Sequence, residues 1–125
     1  MAAIKAASDL VLVSTMDLAN THAMRKEIDL LAELDVLPSS RHIVLNFADR
    51  DSGVGVRQIE SALGLPVDVV VPRSYDVLYA GNVGESVMVK KGGGQVGKAI
   101  HRLVKRIQTD EEADRGNKHR GIEVA

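Results

Sequence analysis

The sequence predicts an α/β fold of three layers, a parallel sheet flanked by helices. Three short β-branched apolar runs recur along the chain, a stretch with helical apolar spacing follows each, and the connections are brief. Strand, helix, strand in that rhythm places successive strands side by side and parallel, with the helices crossing over their faces.

The elements follow in order. DLVLVST (9–15) is a nearly continuous apolar run, as expected for a strand covered on both faces. Residues 16–37 then carry Met24, Ile28, Leu31 and Leu34 at helical spacing, and Pro38 with two serines ends that helix. RHIVLNF (41–47) is the second strand, and ADRDSGVG (48–55) is a polar turn. VRQIESALGL (56–65) reads as a short helix closed by Gly64. PVDVVVP (66–72) is the third strand, bounded by proline at both ends. Residues 74–87 form a helical turn and a glycine-punctuated loop. QVGKAIHRLVKRI (95–107) places Val96, Ala99, Ile100, Leu103, Val104 and Ile107 on one face of a last amphipathic helix. One domain over residues 1–108 and a polar, disordered tail over 109–125 are expected. Three strands make a narrow sheet with two open edges, so the chain reads as incomplete, needing more sheet beside it.

Composition narrows the function. Hydrophobic residues are 45% and charged residues 26% of the chain, and the net charge of −1 gives no bulk attraction to nucleic acid or acidic lipid. Cysteine is absent, which removes disulfides, thiolate metal sites and a cysteine nucleophile together. No signal peptide or membrane-length apolar run is present, so a cytoplasmic location, peripheral at most to membrane or cell pole, is expected. His22, His42, His101 and His119 lack ligand spacing, and Asp49 and Asp51 lie on a polar turn, so no metal site is expected.

GGGQVGKA (92–99) has the G-x-x-x-x-G-K spacing of a phosphate loop, but Ala99 stands where Ser or Thr would hold Mg²⁺. Too little chain follows Lys98 to supply a strand with the metal-holding aspartate. The stretch is expected to be the lead-in to the last helix, and no catalytic residue is assigned.

In order, SDLVLVST, MDLANTHAMRKEIDLL, HIVLNFADR and VVVPRSYDVLYAGNVGESV resemble the C-terminal half of the MinD/ParA family of P-loop ATPases. The similarity is strongest to its pilus-assembly, CpaE-like branch and runs from about Ala6 to Ile107. It implies a partial P-loop NTPase fold whose true K-G-G-x-G-K-T loop lies upstream of the matched region. It also implies ATP held from its adenine side alone, with Mg²⁺ entering only with the missing half. Asn46 matches the family's base-contacting Asn, and the segment at Pro72 matches the one that lines the adenine pocket through backbone groups. Arg73 is placed to stack on a base face. Asn46 equally suits a strand-end residue bonding its own turn, and Arg73 an exposed loop residue.

By the same resemblance, the partners are a second copy or the missing N-terminal ATPase half, and pilus-assembly or polar proteins. Lys98, His101, Arg102, Lys105 and Arg106 give the last helix a basic side for a membrane or DNA contact. Base contacts without a phosphate cradle and metal predict a chain that is inactive as an ATPase by itself. Two other readings remain open: a non-catalytic interaction domain, receiver-like or ATPase-derived, and one half of a split ATPase.

Overall fold

The computed structural model describes residues 2–89 and 94–124. A short helix α1 (Ala2–Ala6) precedes β1 (Asp9–Thr15), α2 (Leu18–Glu33) and β2 (Ser40–Ala48). Then come α3 (Val56–Leu63), β3 (Val69–Pro72), α4 (Tyr75–Val83) and α5 (Gly94–Val124). The sheet order is β1-β2-β3 with both pairs parallel, so β2 is central and β1 and β3 are edges.

Two aliphatic clusters cover the central strand. On one face Met24 and Ile28 of α2 meet Ile43 and Leu63, with Leu12, Leu37, Leu65 and Val67 around them. On the other, Ala99 of α5 lies against Val44 and Val69, flanked by Val71 and Leu103. Aliphatic side chains suffice because all three aromatics of the chain, Phe47, Tyr75 and Tyr79, are exposed.

α2 stops at Glu33, short of the expected end at Pro38. The reason is a Schellman closure: Val36 N–H donates to Leu31 C=O at 3.1 Å and Asp35 N–H to Ala32 C=O at 3.1 Å. Asp35 occupies the left-handed position of that motif, at φ 54°, where glycine is the usual residue. Asp35→Gly is therefore expected to raise stability by about 0.5–1 kcal/mol, read as an increase in the urea midpoint at constant m. A loss of stability would refute it.

β3 is shorter than the apolar run 66–72. Its first residues are taken by the connection: Glu60 accepts from Val67 N–H at 2.8 Å, and the Asp68 carboxylate accepts from Ile43 N–H at 2.7 Å. The last helix is longer than expected and runs through residues 109–124, where the sequence reading has a disordered tail. Asp110 explains the first part of this extension. Its carboxylate accepts from Ser40 Oγ at 2.9 Å and lies 3.4 Å from His42 Nε2, tying the helix to the sheet one turn past Arg106.

Candidate functional site

In a parallel sheet every strand ends on the same side, and ligands gather at that rim. Here the rim is built from Thr15, from the end of β2 beyond Leu45, and from Pro72. The end of β2 is irregular. Its register with β3 shifts by one residue between Leu45 and Ala48, so Pro72 pairs with Ala48 and not with Phe47. Phe47, inside that bulge, has φ 53° and is 56% exposed. A bulky residue on left-handed backbone costs free energy, and such strain concentrates where function holds it.

The bulge divides the rim into separate hollows. Asn46, half-buried, lines one of about 260 Å³ with Thr15, Asn20, Met24 and Glu27, beneath the start of α2. Pro72 and Arg73 line another of about 510 Å³ with Asp49, Arg50 and Tyr75. Arg73 also borders a third, of about 620 Å³, walled by Phe47, Tyr75, Val77 and Leu78. Pro72 and Arg73, adjacent in the chain, share a hollow, but Asn46, which two neighbouring parallel strands would place beside them, lines another. Asn46 stands across the bulge from them.

The first hollow has a fixed polar wall. Asp17 caps α2, accepting from Asn20 N–H at 2.8 Å, and its other oxygen accepts from Thr15 Oγ1 at 2.5 Å. Asn20 Nδ2 donates to Thr15 Oγ1 at 2.6 Å and to Asp17 at 2.7 Å. The Thr15 hydroxyl first, then the Asn20 backbone amide, hold the Asp17 carboxyl below its usual range. The sequence signal was a T-x-D-x-x-N pattern from strand end to helix start, which suits a cap as well as a site.

In the second hollow, Asp49 caps its own 3₁₀ turn by accepting from Asp51 N–H at 2.9 Å and lies 3.8 Å from the Arg73 guanidinium. Arg73 N–H donates to Ala48 C=O at 2.9 Å, which fixes its backbone beside the bulge while the side chain stays exposed. Ser74 caps α4 and places Asp76 in its first turn. Phe47 and Tyr75 were not among the sequence candidates, because a lone aromatic at a strand end carries no pattern of its own.

Of the glycine stretch, Gly92 and Gly93 lie outside the described residues, while Gly94 to Ala99 are the first residues of α5. Ala99 is fully buried against Val44 and Val69, and Lys98 points to solvent. The small residue at 99 is therefore explained by close helix-on-sheet packing. On the basic side of α5, Lys98, His101, Arg102 and Lys105 are exposed. Arg106 is drawn away from that group to Asp68, at 3.0 Å.

At the opposite end of the sheet lies a cluster that sequence reasoning missed. His42, fully buried, places Nε2 3.0 Å from Asp9 Oδ1 and 3.4 Å from Asp110 Oδ2. These three groups converge within 4.8 Å, close enough to hold a metal ion. The fourth neighbour decides its chemistry. Arg106 Nε donates to His42 Nδ1 at 3.4 Å, so hydrogen bonding assigns the ring proton to Nε2, where it is donated to Asp9. A metal on Nε2 would move that proton to Nδ1, against the Arg106 N–H. The cluster fits a structural lock better than a metal site.

Comparison with known proteins rests on this geometry. No protein-family model matches the chain, and no curated protein sequence matches it. Solved structures do. MinD of Aquifex aeolicus superposes with a TM-score of 0.72 over 86% of this chain and 46% of its own, at 17% identity. The fold is that of the MinD and ParA ATPases, in part. The MinC:MinD complex of the same organism matches at 0.71, 17% identity, over 82% of this chain and 43% of that one. A ParA family ATPase from Chlorobium tepidum matches at 0.65 and 26% identity, over 74% and 39%. The chain therefore spans less than half the length of these MinD- and ParA-type structures. Among the described residues, no helix is long and apolar enough to cross a membrane.

Proposed function

We propose that this chain is the C-terminal part of a MinD/ParA-like ATP-binding domain and supplies the adenine side of its nucleotide site. The observation that carries this reading is the rim itself. In a fold matched to less than half of MinD, Asn46, Pro72 and Arg73 all stand at the carboxyl ends of neighbouring parallel strands. Asn46 offers both a donor and an acceptor to a base edge on one side of the Phe47 bulge, and Arg73 offers a planar cation beside the aromatic walls of Phe47 and Tyr75 on the other, so a base bound by both would lie across the bulge.

In this reading the phosphate loop and the Mg²⁺ ligands belong to sequence beyond the matched half, and the chain alone has no turnover. The pilus-assembly, CpaE-like assignment rests on the resemblance of VVVPRSYDVLYAGNVGESV and HIVLNFADR. Polar or pilus proteins are the partners that branch implies, and the MinC:MinD neighbour supports partner docking as a property of such folds. The exposed basic side of α5 would serve a membrane or DNA contact.

Fluorescent adenosine and guanosine nucleotides titrated onto the purified chain test the reading. Adenosine forms are expected to bind weakly, without need of Mg²⁺, and both Asn46→Ala and Arg73→Ala should weaken binding about tenfold. Metal-dependent hydrolysis by the chain alone, or binding indifferent to the base and to both substitutions, would refute it. The latter result, with a stable protein complex formed instead, would favour the interaction-domain reading. The exposed aromatics around α4 are the feature that favours that alternative.

A further inference from the structure

Among the described residues, two other than glycine sit on left-handed backbone, Asp35 and Phe47. Asp35 is accounted for, because aspartate tolerates that region and its amide helps to close α2. Phe47 is not. A phenylalanine there is a steric outlier, and its ring packs into neither aliphatic cluster. The strain accompanies the one-residue shift between β2 and β3, so it is set inside this chain and not by whatever adjoins it. A bulge re-aims the side chain that it carries. This one leaves the Phe47 ring 56% exposed, beside the hollow of Asn46 and as a wall of the 620 Å³ hollow that Arg73 borders.

That hollow is lined as a flat ring requires. Arg73 brings a planar cation, Tyr75 a second aromatic, and Val77 and Leu78 an apolar wall. We infer that Phe47 is the platform on which the nucleotide base stacks, with Asn46 reading the base edge on one side of the bulge and Arg73 meeting the ring on the other. The inference rests on the nucleotide reading above and adds to it a division of labour. Every base has a π-face, so stacking on an aromatic ring strengthens binding with little regard to which base is bound. A side-chain amide discriminates, because it pairs with donors and acceptors that differ between bases. Phe47 therefore sets the affinity and Asn46 the choice of base. The backbone strain at Phe47 is what holds the ring out of the fold for this purpose.

Adenosine titrated onto the purified chain and followed by proton NMR tests it, since a nucleoside carries no phosphate and needs no phosphate loop. The ring current of a stacked phenyl group should move the adenine H2 and H8 signals upfield on binding. Phe47→Ala and Phe47→Gly should both lose that shift and weaken adenosine binding about tenfold, whereas Phe47→Tyr keeps the shift and binds within about twofold of the wild type. Guanosine binding should fall by the same factor in Phe47→Ala, so the preference for adenosine survives there and is lost in Asn46→Ala. Glycine relieves the left-handed strain and alanine does not, so Phe47→Gly should unfold at higher urea than Phe47→Ala and yet bind no better.

Adenosine binding that Asn46→Ala and Arg73→Ala weaken but the Phe47 variants leave unchanged would overturn the inference and leave the nucleotide reading standing. So would binding that recovers in Phe47→Gly together with stability, which would make the ring a prop of the fold. A wild-type chain that binds no adenosine would overturn both.

Discussion

Replacing His42 with alanine is expected to destabilise the protein by about 3 kcal/mol, roughly the effect of breaking a buried polar pair. The ring is fully buried and is the common partner of Asp9, Asp110 and Arg106, which come from β1 and from two turns of α5. Its removal leaves a void at the base of the sheet and strips Asp9 of its donor. Because Asp110 and Arg106 lie on α5, the damage should spread along that helix. Amides near Leu103 to Asp110 should exchange faster than those of α2 in the variant. Urea unfolding followed by circular dichroism gives the magnitude. A change below about 1 kcal/mol would mean that the apolar contacts of Ala99 and Leu103 hold α5 without the polar lock.

The second large effect concerns the residue that looks like a failed phosphate loop. Ala99→Thr restores the hydroxyl that the G-x-x-x-x-G-K-[ST] pattern asks for. It is nevertheless expected to cost about 1–3 kcal/mol and to give no Mg²⁺-dependent gain in nucleotide affinity. Ala99 is completely buried against Val44 and Val69, so added atoms must displace the helix from the sheet, and a hydroxyl there faces aliphatic carbon. Thermal unfolding and nucleotide titration with and without Mg²⁺ read the two halves of the prediction. A stable variant that gained Mg²⁺-dependent binding would show that Gly94 to Ala99 form a phosphate cradle after all.

Much of the fold was legible because it depends on local patterns. Apolar runs such as DLVLVST and RHIVLNF can be covered on both faces only in a parallel sheet with helices on each side. The spacing of Met24, Ile28, Leu31 and Leu34 marks an apolar stripe on α2; the first three are buried, while Leu34, just past the helix end, is exposed. Boundaries were less legible where one side chain decides them. Asp35 ends α2 by accepting a left-handed conformation that its sequence context does not announce. Asp68 and Glu60 turn the start of a β-like run into a connection by bonding backbone amides. Arg106 looks like one more cation on a basic face until Asp68 and His42 are seen beside it.

The candidate site divides in the same way. That Asn46 and Pro72 stand at strand ends is a property of the strands themselves and could be read directly. Their separation into different hollows is a property of the bulge at Phe47, which shifts the register so that Pro72 meets Ala48. By itself, then, the sequence determined the layers, the parallel order and the aliphatic core, because hydrophobic periodicity sets which face of each element must leave water. Only the tertiary structure decided what Ala99 is for and what His42 holds together. Those depend on residues far apart in the chain, brought within a few ångströms by packing that no local pattern encodes.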